Sequence, residues 1–155
     1  MLHVIQPQLH VMKNLLTSAL LLTLSVALHG QTFVSGGIYN NTTWSAVNNP
    51  YIVTGDVVVF QDVTLTIEPG VEIKFNDDTG LEVRGDIIAI GNDTHAIVFT
   101  SNNPNPNLHS WKGIKFYGTN FDKENQAIFE YCVGAYADVL FDMDAAYQGP
   151  YIFRH

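Results

Sequence analysis

The sequence predicts an all-β protein whose short strands stack in layers as a solenoid. Apolar and polar residues alternate in short runs after residue 50, and turn residues recur every five to ten residues. Beyond the amino-terminal segment, no stretch has the periodicity of an amphipathic helix. The chain has 155 residues and is 46% hydrophobic, which is enough for one domain with a packed core.

The amino-terminal segment is typical of a secretory signal peptide. From Met12, the basic residue Lys13 precedes an apolar run at residues 15–28, and small residues follow. The run is shorter than the ~20 residues that a transmembrane helix needs. We therefore expect residues 1–30 to be a signal peptide with its true start at Met12. The mature protein would be secreted, extracellular or on the outer cell surface, with no membrane span.

The charge and the cysteine content narrow the classes of partner. The formal net charge is -8, with 15 acidic residues and only 7 Lys and Arg residues. Nucleic-acid binding needs clustered basic residues that neutralise phosphates, so we expect no nucleic-acid partner. The single cysteine, Cys132, fits an exported protein without disulfides. We interpret it as a packed strand residue, because no catalytic-cysteine signature surrounds it.

The segment at residues 31–49 is rich in Gly, Asn, Thr and Ser, with Ile38, Tyr39 and Trp44 as apolar contacts. We interpret it as a capping segment for the first layer, since solenoids need atypical terminal units. Residues 50–155 would then form the stacked coils. The expected domain order is signal peptide, cap and solenoid.

The stretch at residues 65–75, LTIEPGVEIKF, predicts the basic unit of the solenoid. Two alternating runs are joined by Glu68-Pro69-Gly70. Proline fixes φ and glycine accepts a positive φ, so this tripeptide predicts a sharp corner between two strands. The alternation places Glu72 and Lys74 outward, and the same holds for Glu82 and Arg84. We expect these charges to pair across layers.

Further strand runs are predicted on both sides of this unit. They are residues 51–54, 57–60, 81–91, 96–101, 111–118, 127–136 and 138–141, with a last apolar run at 151–155. The Pro/Asn-rich residues 102–107 should bulge out as a loop, since proline donates no ladder hydrogen bond. An apolar run without a capping segment is a poor end for a solenoid. We expect the chain to be the amino-terminal fragment of a longer protein, truncated at its carboxyl end.

An internal echo supports stacking. When the sequence is shifted so that Leu65 is set over Leu81, Ile67 meets Val83 and apolar residues fall on apolar residues. Solenoids stack like on like to bury a continuous core. The pattern indicates repeated layers and leaves the length of a full coil open.

Five segments together resemble a known family. They are PYIVTGDVVV (50–59), VTLTIEPGVEIKF (63–75), GLEVRGDIIAIG (80–91), AIVFTSNN (96–103) and WKGIKFYG (111–118). They look like the first coils of secreted bacterial right-handed parallel β-helix proteins of the pectin-lyase-like class, and the resemblance covers about residues 38–136. It implies a right-handed parallel β-helix. Members with this kind of amino terminus are often large cell-surface or exported proteins.

The resemblance leaves two functions open. The first is a stiff scaffold or adhesin-like module without catalysis in this segment. The second is the amino-terminal part of a polysaccharide lyase or glycoside hydrolase whose active site lies in coils beyond residue 155. Lyases of this class are implied to use Ca²⁺-bound carboxylates. Asp77 and Asp78 are the nearest approach to a Ca²⁺ site, but Ca²⁺ takes six to eight oxygen ligands. We predict no catalytic residue, no cofactor and no metal site here.

Aromatic residues supply the binding prediction. We expect Trp111, Tyr117, Tyr131 and Tyr136 to form an outward stripe that stacks on sugar rings, the alternative being burial in the coil walls. The predicted partner is therefore a polysaccharide or a cell-surface glycan. His95 and His109 are isolated and are interpreted as turn residues.

Overall fold

Thirteen strands appear in the part of the chain that the computed structural model describes, residues 30–118, 125–143 and 151–154. They are β1 (Thr32–Ile38), β2 (Thr42–Trp44), β3 (Tyr51–Val59), β4 (Thr64–Ile67), β5 (Glu72–Phe75), β6 (Gly80–Val83), β7 (Asp86–Ile90), β8 (Ile97–Ser101), β9 (Gly113–Phe116), β10 (Ala127–Glu130), β11 (Cys132–Gly134), β12 (Phe141–Met143) and β13 (Tyr151–Arg154). The predicted signal peptide, apart from Gly30, lies outside the described residues.

The strands form two sheets in which each of the named strand pairs is parallel. The larger sheet has the order β11-β8-β5-β3-β6-β9-β12, with β1 also paired to β3. The smaller sheet has the order β13-β10-β7-β4-β2. The chain passes from one sheet to the other and back, and each circuit after β4 adds two short strands to the larger sheet and one strand to the smaller sheet. This is a parallel β-helix, and the predicted fold class is confirmed.

The coil register differs from the echo in the sequence. Leu65 in β4 lies beside Ile87 in β7, one full coil further along the chain. The echo that sets Leu65 over Leu81 is not the stacking register, because Leu81 lies between Val57 and Ile114 instead. The echo matches residues from different walls of the coil, which share the alternation of apolar and polar residues but pack against different neighbours.

The core is a set of side-chain columns that run through the interior of the coils. The walls alternate buried and partly exposed residues, as in β4 and β5. One column, from the smaller sheet, consists of Trp44, Ile67, Ala89 and Phe129. Burying each large apolar side chain of this kind stabilises the fold by about 1.5–3 kcal/mol. Because every coil adds to the same columns, the layers stabilise one another.

The predicted corner at Glu68-Pro69-Gly70 is confirmed, with Gly70 at a φ of 79° between β4 and β5. The corner interrupts the hydrogen bonds of the backbone ladder, and a side chain from the preceding coil supplies hydrogen bonds in their place. Asn49 Oδ1 accepts the Glu72 N–H at 2.9 Å, and Asn49 Nδ2 donates to the Gly70 carbonyl at 2.7 Å. These two bonds satisfy backbone groups that the ladder leaves without partners at the turn.

Two more corners are tied in the same way. Asn41 Oδ1 accepts the Thr64 N–H, and Asp56 Oδ1 accepts the Gly80 N–H, both at 2.9 Å. In each case the acceptor stands one coil before the donor along the chain. The frequent Asn and Asp residues of the sequence therefore hold successive coils in register.

The segment predicted as a cap continues the ladders. β1 pairs with β3 and β2 pairs with β4, both parallel, so these residues form the first coil. The long predicted strand at residues 127–136 is two strands, broken at Tyr131 with a φ of 50°. The run predicted at 138–141 begins as a strand only at Phe141.

The expectation that outward charges pair across layers is wrong for Glu72 and Lys74. Lys74 Nζ lies 3.2 Å from Glu72 Oε1 within β5. Arg84 likewise contacts Glu82. Residues two apart in a strand share a face, so the partner on the same strand is within easy reach of a long side chain. These exposed pairs each stabilise by at most about 1 kcal/mol.

Candidate functional site

A column of rings and one guanidinium runs along the outer surface of the larger sheet. Tyr39 stacks on Phe60 with ring centroids 4.5 Å apart. Arg84 Cζ lies 5.5 Å from the Phe60 centroid and 6.0 Å from the Tyr117 centroid. Tyr39, Phe60, Arg84 and Tyr117 therefore form a continuous aromatic–cation column that crosses four coils.

The sheet register explains why these four residues meet. Each of them directly follows the end of a strand: β1, β3, β6 and β9. Those strand ends lie side by side: Ile38 pairs with Val59, Val59 pairs with Val83, and Val83 pairs with Phe116. The next residue of each coil leaves the sheet at the same corner. Stacked corners therefore place their side chains about one strand spacing apart, ~4.8 Å.

A groove of about 350 Å³ lies beside the column. Two ion pairs border it: Lys112 Nζ is 2.7 Å from Asp56 Oδ2, and Lys115 Nζ is 3.3 Å from Asp142 Oδ2. Gly80 and Gly113, which are paired in the ladder, add no side chain to its lining. We call this the charged groove.

Lys115 links the groove to the column. Its Nζ lies 5.0 Å from the Tyr117 ring centroid. Hydrogen bonds to the Tyr117 and Asp142 side chains raise the pKa of Lys115 above its usual value. The ammonium group is therefore fully charged at neutral pH, and it is exposed beside an aromatic ring.

This arrangement combines the groups that hold a sugar chain. Aromatic faces pack on the apolar faces of pyranose rings, as Tyr side chains have an apolar body and a polar tip. Arg84, Lys112 and Lys115 can donate to carboxylates or hydroxyls, and Asp56 and Asp142 can accept from hydroxyls. The column spans several coils, which suits an extended ligand better than a compact one.

The predicted glycan-stacking stripe is not one surface. Trp111 is 1% exposed, its ring stacks on Phe75 at 4.0 Å, and its indole N–H donates to the Ala135 carbonyl at 2.8 Å. No ligand can reach this ring, so its assignment to an outward stripe is wrong. Tyr117 belongs to the column. Tyr131 and Tyr136 are exposed but lie on either side of β11, on the other branch of the larger sheet.

The acidic and histidine candidates are held by local contacts. Asp77 accepts both of its hydrogen bonds from the Asn103 amide, at 3.1 and 3.2 Å, and Asp78 occupies a turn with a φ of 59°. His109 contacts the Asp138 carboxylate, and His95 Nδ1 lies 2.8 Å from Thr94 Oγ1. Within residues 30–118, 125–143 and 151–154, no three His, Cys, Asp or Glu residues converge on a possible metal position.

Sequence reasoning missed Tyr39, Phe60 and Lys115 as members of the site and assigned Arg84 to a different pairing. A signal was available, since each column residue follows an apolar strand end. It was hidden because the column residues are unevenly spaced, the stretch from Arg84 to Tyr117 being much longer than the others.

The described residues also contain no helix that is long and apolar enough to cross a membrane.

Comparison with known proteins gives one family and one curated relative. The family described as pectate-lyase like beta helix domain matches residues 36–138. The protein named bark beetle from Drosophila melanogaster is 36% identical over 66 residues. That match covers 43% of this chain but only 2% of the fly protein. No solved structure gives a significant match. The relative is an animal protein, so the bacterial origin implied by the resemblance stays a prediction.

Proposed function

Because the chain belongs to the family of pectate-lyase-like β-helix domains, we propose that it is an exported, non-catalytic scaffold module that contacts glycans. The family membership supports a carbohydrate-related or scaffold module. Secretion or display on the outer cell surface, an adhesin-like role and the glycan partner are parts of the proposal. The aromatic–cation column beside the charged groove is the observation that supports glycan contact.

The chemistry of the surface favours an acidic glycan over a neutral one. Arg84 stands next to the rings of Phe60 and Tyr117, and Lys115 stands next to Tyr117. A third cation, Lys112, lies further along the charged groove. A uronate residue presents one apolar ring face and one carboxylate, which match a ring and a neighbouring cation. The carboxylates of Asp56 and Asp142 would then exchange their lysine contacts for sugar hydroxyls.

The test is direct binding of the full chain to immobilised polymers, compared between a polyuronate and a neutral glucan. Tyr117→Ala should weaken polyuronate binding at least about tenfold, or about 1.4 kcal/mol. Lys115→Met should weaken it to a similar extent and reduce its dependence on salt. Tyr136→Ala is the matched control, since this tyrosine is also exposed, by 41%, but lies outside the column.

Two outcomes contradict the proposal. Equal loss of binding in Tyr136→Ala and Tyr117→Ala would show that the column is not the contact surface. Release of unsaturated or reducing uronate products by the full chain would replace the scaffold with the alternative, a lyase or hydrolase.

Export has a separate test. Expression of the chain in a host with a secretory pathway should deliver a protein into the medium whose first residue lies between 28 and 31. Retention of the whole amino-terminal segment on an intracellular product would contradict this part of the proposal and leave the glycan contact unaffected.

A further inference from the structure

The lining of the charged groove carries more negative than positive charge. Its ionic groups are the carboxylates of Asp56, Glu82 and Asp142 and the ammonium groups of Lys112 and Lys115. The groove also belongs to a chain whose formal net charge is -8. A ligand with a negative charge on every unit is therefore repelled wherever its charges do not meet a cation. The position of each cation decides which charges the groove accepts.

Lys112 is held by Asp56 across two coils. Its Nζ lies 2.7 Å from Asp56 Oδ2 and 3.0 Å from Asp56 Oδ1. The Lys112 side chain crosses Gly80 of the intervening coil, where a Cβ would lie only 3.1 Å from the Lys112 Cβ. The glycine leaves room for this path. The ammonium group is thus neutralised by a carboxylate that it contacts through both oxygens.

Asp56 has a second anchor, which does not depend on Lys112. Its Oδ1 also accepts the Gly80 N–H at 2.9 Å, so the backbone fixes the carboxylate in the groove wall. A glycan carboxylate that drew Lys112 away would lie beside this fixed negative charge. Sugar hydroxyls meet no such repulsion, since they donate to the carboxylate and accept from the ammonium group. This part of the groove therefore favours a neutral sugar.

The end of the groove at Tyr117 favours a carboxylate. Two cations converge on this one ring, with Lys115 Nζ 5.0 Å and Arg84 Cζ 6.0 Å from its centroid. Lys115 is also held less closely by its acidic partner than Lys112 is, at 3.3 Å from Asp142 Oδ2 against 2.7 Å. A carboxylate beside the ring can accept hydrogen bonds from both cations, and such charge-assisted bonds are stronger than neutral ones.

We propose that the charged groove is selective for a glycan in which uronates are separated by neutral sugars. One carboxylate binds beside Tyr117, where Lys115 and Arg84 converge, and a neutral neighbour lies along Asp56 and Lys112. A homopolymer of uronates places a further carboxylate against Asp56, and a sulfated glycan places several charges there. This inference rests on the glycan contact proposed above and specifies the class of acidic glycan.

Binding of the full chain to three immobilised polymers tests the proposal. They are an alternating copolymer of uronate and N-acetylhexosamine, a homopolyuronate and a sulfated glycan. At low ionic strength, we expect the alternating copolymer to bind at least about threefold more tightly than the homopolyuronate and at least about tenfold more tightly than the sulfated glycan. Added salt should reduce these preferences, because it screens the repulsion from the groove.

Asp56→Asn tests the residue that carries the selectivity. Asparagine keeps an oxygen acceptor for the Gly80 N–H but removes the negative charge. The ratio of the homopolyuronate Kd to the alternating-copolymer Kd should fall at least about threefold in this variant. Asp93→Asn is the matched control, because it removes the same charge from an exposed turn between β7 and β8, and the ratio should stay at the wild-type value. Circular dichroism and urea denaturation should show that both variants remain folded.

Failure of this inference differs from failure of the glycan contact. A wild type that binds the homopolyuronate or the sulfated glycan as tightly as the alternating copolymer overturns the selectivity and leaves the glycan contact in place. An equal ratio in Asp56→Asn and Asp93→Asn also overturns it, because the preference would not come from the groove. A wild type that binds none of the three polymers overturns the proposed glycan contact, and the selectivity with it.

Discussion

At the scale of single residues, the type of an aromatic side chain does not show whether it lies in the core or on the surface. Tryptophan and tyrosine were grouped as one sugar-binding stripe because both have an apolar body and a polar tip. Trp111 uses these same properties inside the coil, where its ring stacks on Phe75 and its N–H meets the Ala135 carbonyl. Strict alternation would place Trp111 and Tyr117, which are an even number of residues apart, on the same face. The phase changes at Gly113, which has a φ of 101°, so that Ile114 and Phe116 are buried and Tyr117 lies outside.

Truncation of Trp111 should destabilise the protein without acting on ligand binding. Trp111→Ala removes a ring that is 1% exposed and leaves the Ala135 carbonyl without its partner. We expect the free energy of unfolding to fall by about 3–5 kcal/mol, measured by urea denaturation followed by circular dichroism. Tyr136→Ala should change it by less than about 0.5 kcal/mol. A loss below about 1 kcal/mol for Trp111→Ala would contradict the buried stack.

Cys132 should make stability depend on alkaline pH. Burial raises the pKa of its thiol from 9.0 to about 12. In the unfolded chain the thiol loses its proton near pH 9, whereas in the folded chain it keeps it, so this group's stabilising contribution is complete below pH 9 and is lost as the pH rises toward about 12.

The comparison of wild type with Cys132→Ala isolates this contribution. The difference in Tm between the two should be constant below pH 9 and should shift against the wild type above it. Alkylation by iodoacetamide at neutral pH should also be slow until denaturant is added, since the thiolate is the reactive form. A Tm difference that does not change with pH would contradict the assignment.

At the scale of single strands, the pairing of β9 with the next coil requires a glycine at its first residue, Gly113. Gly113 has a φ of 101°, and a Cβ there would run into the Val139 carbonyl of the next coil. Gly113→Ala should therefore lower the free energy of unfolding by about 3 kcal/mol or more, through backbone strain and separation of β9 from β12. Gly55→Ala in β3 is the matched control, because its Cβ would meet only Ser35 Cβ, at 3.4 Å. Similar losses in the two variants, compared by urea denaturation, would contradict this role of Gly113.

The strands themselves were largely predictable from the sequence, and their stacking was not. Alternation locates β4 and β5, and Pro69-Gly70 locates the corner, because these signals are local. The coil register is not local, since successive coils differ in length: Leu65 pairs with Ile87, but Ile87 pairs with Ala127, much further along the chain. Residues that meet in the aromatic–cation column are therefore separated by unequal stretches of sequence, and only the sheet register brings them together.

Across the whole molecule, the same stacking rule explains the stability and the candidate site. Each coil covers the core of the one before it, and each of the first four coils adds one side chain to the outer column. The core columns inside the coils and the aromatic–cation column outside them therefore follow one register, and only stacked layers can build either.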